Sequence, residues 1–202
     1  MKQQRGFTLV ELAIVLVIIG LILGMAFKGK DLIDGAKVKN MQAQYNKIVA
    51  GFNIYYEKYG AYPGDGCIAA VVALGGGTTC PAGNRDGILG NAFETQSAIN
   101  LLLNTNILTN ADIQSVFGQP WAITPSADVT LVATGTNFMS LTNAAGVPQA
   151  AADVRFVCAL DRLMDDGVNT TGIVRSTGLV YTAATDCWAQ TGQVTVGVRV
   201  LP

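Results

Sequence analysis

Oxygen-bearing side chains cluster near the C-terminal end of the sequence, in the segment LDRLMDDGVNTTG. They are Asp161, Asp165, Asp166 and Asn169. Calcium takes about six to eight oxygen ligands, often from acidic loops of this kind, so the segment is a candidate calcium site. Two simpler readings compete with calcium. Asp165-Asp166-Gly167 suits an ordinary helix exit, and Arg162 and Arg175 are available to pair with the acids.

A single carboxylate interrupts a long apolar segment near the start of the chain. Glu11 is the only charged residue between Phe7 and Phe27. A helix of that length spans roughly 30 Å, the thickness of a bilayer's hydrocarbon core, so the segment is predicted to cross a membrane. An acid at that depth is unfavourable and usually marks a function with a partner. The alternative is a lone Glu hydrated near the interface.

The cysteines point to disulfides and an oxidising compartment. The chain has four, Cys67, Cys80, Cys158 and Cys187, and no histidine. None of the cysteines forms a C-x-x-C pair, so the usual zinc-binding pattern is missing from the sequence. Without histidine, the chain also lacks the residue that acts most often as a general acid or base. An even number of cysteines after a membrane segment favours two disulfides. Of the three connectivities, pairing of sequence neighbours favours Cys67–Cys80 and Cys158–Cys187, whereas the alternative is four free buried cysteines.

Enzymatic activity finds little support in the sequence. No serine lies in a G-x-S-x-G motif, and no histidine is present to act as its base. A glycoside hydrolase uses two carboxylates that meet only in the folded chain, so the sequence leaves this type of activity as an alternative. No basic run suggests nucleic acid as a partner. We therefore predict that the chain is not an enzyme.

Apolar residues recur three and four positions apart after the membrane segment. They are Val38, Met41, Tyr45, Ile48, Phe52, Tyr55 and Tyr59. This spacing predicts an amphipathic helix that continues the apolar one, so a single helix runs from about Phe7 to Tyr59. Gly60 and Pro63 are predicted to end it. Residues 7–27 form its transmembrane half, and residues 28–60 form its amphipathic half.

Residues 61–202 are predicted to form a small globular α+β head against which the long helix packs. Helical spacing covers AFETQSAINLLLNTNIL and AAADVRFVCALDRLMDDG. Alternation favours strands at VTLVATG, FMSLTN, GLVYTA and QVTVGVRVL. The predicted fold therefore combines short helices with a modest antiparallel sheet.

The first residues resemble the type III signal of type IV prepilins and type II secretion pseudopilins. The stretch RGFTLVELAIVLVIIGLIL has the basic leader, then Gly6, Phe7 and Thr8-Leu9-Val10-Glu11-Leu12. The resemblance implies that a membrane prepilin peptidase removes residues 1–6 at the Gly6–Phe7 bond and N-methylates Phe7. It also implies that Glu11 meets the terminal amine of a neighbouring subunit. YPGD, GNRDG and LDRLMDDGVNTTGIVR resemble further stretches of prepilin-like proteins.

The expected function is a structural subunit of a type IV pilus-like filament, a homopolymer built through its N-terminal helices. Before assembly the chain would span the inner membrane once, with Lys2 and Arg5 holding its N-terminus in the cytoplasm. Afterwards it would form an extracellular or periplasm-spanning filament. An assembly ATPase and a membrane platform are the partners that the resemblance implies, and calcium is the candidate cofactor. The alternatives are a type II secretion pseudopilin, a minor pilin, or a membrane-anchored periplasmic enzyme or binding domain.

Overall fold

The structure begins with the predicted long helix. A computed structural model of the chain describes residues 8–66, 85–89, 92–124, 136–143 and 147–201. Its first helix, α1, runs through Leu9–Tyr59. Two compact units divide the chain, Met1–Lys37 and Val38–Pro202.

The first unit, in its described part, is the apolar half of α1. Every side chain from Thr8 to Lys28 is exposed; Leu9, for example, is 85% exposed and Phe27 is 70% exposed. By length and composition alone, α1 is long and apolar enough to cross a membrane. Because exposed apolar surface of this extent is unfavourable in water, it needs lipid or protein around it.

In the second unit, the remainder of α1 contributes one face to the hydrophobic core. Its buried residues are Val38, Met41, Ile48, Gly51, Phe52 and Tyr55. Tyr45 and Tyr59 are partly buried and pack against the same core. This confirms the apolar stripe that the sequence predicts. The helix ends at Tyr59, directly before Gly60, as expected.

The rest of the second unit is an antiparallel sheet with short helices, which confirms the predicted α+β class. Its described helices are α2, Ala92–Asn104, α3, Asn110–Ile113, and α4, Val154–Met164, with a 3-10 helix at Cys187–Ala189. The strands are β1, Trp121–Thr124, β2, Asn137–Leu141, β3, Ala152–Asp153, β4, Val174–Thr177, and β5, Gln193–Leu201. β1 pairs with β2, and β5 pairs with β2, β3 and β4. The last strand therefore organises the sheet.

Polar side chains fix the amphipathic half of α1 to this sheet. The Trp121 Nε1 atom donates a hydrogen bond of 3.0 Å to Gln44 Oε1. The Tyr45 hydroxyl donates one of 3.0 Å to the Arg199 carbonyl oxygen on β5. Since these groups are partly buried, the bonds satisfy polar atoms that water would otherwise have to reach. They fix the helix at both β1 and β5.

The predicted disulfide between the later cysteines is present. Cys158 on α4 is bonded to Cys187 on the 3-10 helix, with 5.5 Å between their Cα atoms. Both residues are buried. The bond ties α4 to the segment that precedes β5. Cys67 and Cys80 lie outside the described residues.

The strand predictions are only partly right. QVTVGVRVL forms β5, and FMSLTN overlaps β2. GLVYTA, residues 178–183, is not a strand, because β4 ends at Thr177 and Gly178 has a φ of +103°. Its apolar alternation instead reflects a loop that buries Tyr181. The four-residue β1 was missed because it is too short for a clear period, and VTLVATG lies outside the described residues.

The YPGD segment after α1 packs tightly against α2. Gly64 has a φ of +92°, and a Cβ atom at this position would lie 2.3 Å from the Glu94 carbonyl oxygen. Next to it, the Asp65 carboxylate accepts hydrogen bonds from the amides of Asp86, at 3.2 Å, and Gly87, at 3.0 Å. The segment therefore joins α1 to α2 through close packing at Gly64, and to the loop at 85–89 through the Asp65 carboxylate.

Replacing Gly64 with alanine is expected to destabilise the folded state by about 3 kcal/mol or more, because backbone strain and a clash with backbone atoms act together. Gly118→Ala is a matched control, since Gly118 also has a positive φ of +82° but a Cβ there meets nothing within 4 Å. The control should lose about 1–2 kcal/mol. Thermal unfolding of the detergent-solubilised chain measures both, and equal losses would contradict the tight packing described above.

Candidate functional site

The carboxylate of Glu11 is held by the residue one helical turn before it. Glu11 Oε2 accepts hydrogen bonds from the Thr8 amide, at 2.9 Å, and from the Thr8 hydroxyl, at 2.7 Å. In return, the Glu11 amide donates to Thr8 Oγ1 at 3.3 Å. This reciprocal arrangement is a capping box at the start of α1. It satisfies two amides that have no partner within the helix.

The local sequence explains this arrangement. Thr-x-x-Glu before an apolar run is the signature of a capping box, and Thr8 and Glu11 fit it. Thr8 is part of the N-terminal motif, and its spacing from Glu11 is the signal from which this contact could have been predicted. Within the part of the chain that the structure describes, all three bonds use Oε2 or the Thr8 oxygen, and Glu11 Oε1 makes no hydrogen bond.

The acidic segment brings three of its four predicted residues together. Asp161, Asp165 and Asp166 each place one carboxylate oxygen within 4.8 Å of the others. Asp161 is the only one of the three that lies on α4, which ends at Met164, and Asp165 and Asp166 follow directly after that end. The Asp165 amide still donates to the Asp161 carbonyl oxygen, at 2.6 Å, so these residues lie one helical turn apart and their side chains are close in space.

Most of these carboxylate oxygens already accept bonds from the turn itself. Asp165 Oδ2 accepts from the amides of Ile173 and Val174. Asp166 accepts from the Val168 amide at 2.9 Å and from the Thr171 hydroxyl at 2.5 Å. The acids therefore organise the segment between α4 and β4.

Asp161 differs from its neighbours because it is completely buried. Its Oδ1 accepts a hydrogen bond of 3.1 Å from the Gly167 amide, whereas Oδ2 has no partner among the described residues. Burial raises the pKa of the Asp161 carboxyl to about 6, and the nearby Asp166 and Asp165 add to the rise. The Tyr181 hydroxyl lies close enough to oppose that rise, but without the geometry of a hydrogen bond.

Asn169, the fourth predicted ligand, and Arg162 both make hydrogen bonds outside the acidic cluster. Asn169 is buried, and its Nδ2 atom donates to the Ser176 carbonyl oxygen at 3.2 Å. The Asn-Thr-Thr sequence at this position fits a glycosylation acceptor, but in the folded chain its side-chain nitrogen is enclosed. The Arg162 guanidinium donates to the carbonyl oxygens of Ala183 and Thr185, so it serves the 183–185 loop.

Among the serines, Ser140 and Ser176 are buried, and their hydroxyls have no hydrogen-bond partner among the described residues. Neither is placed to reach a substrate in solution. Gly6 and Phe7, where processing is predicted, lie outside the described residues.

Comparison with known proteins identifies the N-terminal segment. Residues 1–27 match the family model of the prokaryotic N-terminal methylation motif. No curated protein and no solved structure shows significant similarity to the chain. The matched segment includes the capping box and the apolar half of α1. The chain thus carries the prepilin-type N-terminal methylation motif, which is typical of type IV pilins and pseudopilins, on a pilin-like α+β fold.

Proposed function

We propose that this chain is a structural subunit of a type IV pilus-like filament, inserted in the inner membrane and polymerised through its N-terminal helix. The observation that carries this proposal is the single carboxylate, Glu11, in the exposed apolar half of α1, within a segment that matches the methylation motif. Among the residues that the structure describes, most of the exposed large apolar side chains lie in residues 9–27, whereas the head has a buried core.

Assembly would exchange one apolar environment for another. Before assembly, lipid covers the apolar half of α1; in the filament, the same half of neighbouring subunits covers it. Apolar surface stays out of water in both states, so leaving the membrane does not expose it. The hydrophobic effect therefore allows the transfer, but it does not determine the axial position of one subunit relative to the next.

Glu11 would determine this axial position. Removal of residues 1–6 at the Gly6–Phe7 bond would create a cationic amine at Phe7, which remains cationic after N-methylation. Pairing of this amine with Glu11 of the neighbouring subunit would offset the burial of both charges. A subunit in the wrong register would leave both charges unpaired. A prepilin peptidase that also methylates, an assembly ATPase and an inner-membrane platform are the partners this requires.

We expect the subunit recovered from surface filaments to begin at a methylated Phe7. Electron microscopy of the filaments, with mass spectrometry of the subunit, measures this directly. Recovery of a chain that still begins at Met1, from a membrane without filaments, would favour the other class of function, a membrane-anchored periplasmic enzyme or binding domain. A methylated Phe7 in a short periplasmic fibre would favour a pseudopilin.

Glu11→Ala is expected to leave membrane insertion unchanged and to reduce filament yield strongly, because the neighbouring amine loses its partner. Asp31→Ala is the matched control, since Asp31 is an exposed acid on the same helix beyond the apolar run. The control should assemble normally. Quantifying subunit in the membrane and in sheared filaments separates insertion from assembly. Normal yield from Glu11→Ala would count heavily against the proposal.

We also propose calcium binding at Asp161, Asp165 and Asp166. The supporting observation is the buried Asp161 carboxylate, whose Oδ2 lacks a partner among the described residues while two further acids lie beside it. A cation would offset the repulsion among these groups and occupy the unpaired oxygen. Asn169 offers a side-chain oxygen in the same segment, although its nitrogen is committed to Ser176.

Calcium is expected to raise the unfolding temperature of the solubilised chain by about 5 °C or more when it is roughly a hundredfold above its dissociation constant. Asp166→Asn should reduce this shift, because it removes one charge at an exposed position. Asp186→Asn is the control, since Asp186 caps the separate 3-10 helix. A calcium titration that leaves the unfolding temperature unchanged would contradict calcium binding at this site.

A further inference from the structure

The capping box provides Glu11 with hydrogen-bond donors before a second subunit binds. In the hydrophobic region of a membrane, a carboxylate finds few hydrogen-bond donors other than those of its own protein. Thr8 provides two, its amide and its hydroxyl, at 2.9 Å and 2.7 Å from the same oxygen. Hydrogen bonds to an ionised group are roughly twice as strong as bonds between neutral groups. The unassembled chain therefore stabilises its own acid.

The same contact fixes the position of the carboxylate. A glutamate side chain has several rotatable bonds, and a free one samples many positions at an exposed site. Here both donors converge on Oε2, and the Glu11 amide returns a bond to Thr8 Oγ1, closing a ring of three hydrogen bonds. Oε1 makes no hydrogen bond among the described residues. One oxygen is thus anchored while the other is left for an incoming donor.

We propose that Thr8 is the positioning residue for Glu11: its hydroxyl holds Oε2 so that Oε1 is presented to the amine of the next subunit. This rests on the proposed filament function and adds to it a residue that acts through the acid rather than by contacting the partner. The intrachain and intersubunit contacts use different oxygens, so assembly adds a partner without first breaking the capping box.

Thr8→Val tests the hydroxyl because valine has nearly the same shape and keeps the backbone amide. One hydrogen bond to a charged group corresponds to about tenfold or more in an equilibrium. We expect the filament yield of Thr8→Val to fall by about tenfold at equal amounts of subunit in the membrane. Thr8→Ser, which restores a hydroxyl, should return the yield to near that of the original chain.

Amide hydrogen exchange on the mature chain in detergent distinguishes positioning from simple helix capping. The Leu12 amide, which bonds to the Thr8 carbonyl oxygen at 3.3 Å, reports whether the helix start is intact. The Thr8 amide reports the bond to Glu11. We expect Leu12 to remain protected in Thr8→Val, and the Thr8 amide to lose protection in Glu11→Ala.

The outcomes separate this inference from the proposed function. If Glu11→Ala abolishes filaments while Thr8→Val assembles normally, the positioning proposal is overturned and the filament proposal stands. If Leu12 loses protection in Thr8→Val together with the yield, the hydroxyl acts only through the helix start, which also overturns positioning. If Glu11→Ala itself assembles normally, the filament proposal fails first, and positioning fails with it.

Discussion

The need of one carboxylate, Glu11, for hydrogen-bond donors is the constraint on which the function proposed for the apolar half of α1 depends. Burial of hydrocarbon is not directional, so a smooth apolar helix can slide or rotate against its neighbours with little change in free energy. A charge removes that freedom, because it is tolerable only where donors meet it. Glu11 carries this requirement, and Thr8 meets part of it within the same chain.

In the head, carboxylates also accept hydrogen bonds, but there they stabilise a turn of the backbone. After α4 the chain must turn back and enter β4, and turns leave backbone amides without partners in a helix or sheet. The carboxylates of Asp161, Asp165 and Asp166 accept bonds from those amides and from Thr171. Concentrating acids in one turn makes each stabilise the backbone while repelling the others. The hydrogen bonds explain why the acids lie together in this turn, and the repulsion among the acids supports the proposed calcium site.

Both halves of α1 could be predicted because each follows a simple rule. An apolar run from Phe7, in which Glu11 is the only charged residue, and a stripe from Val38 to Tyr59 identify a helix that ends near Gly60. The strands were harder to predict. β5 alternates along nine residues and was found, whereas β1 has four. GLVYTA alternates like a strand, but a loop buries Tyr181 without pairing it to a neighbouring strand.

The sequence by itself determined the membrane-type helix, the lone acid within it and the methylation motif. These depend on residue type and local spacing, which the chain states directly. Only the tertiary structure decided that Asp161 is buried with an oxygen unpaired, that Asn169 is enclosed, and that Gly64 lies against the backbone of α2. Burial and close approach depend on residues distant in sequence, and no local pattern records which of them will meet.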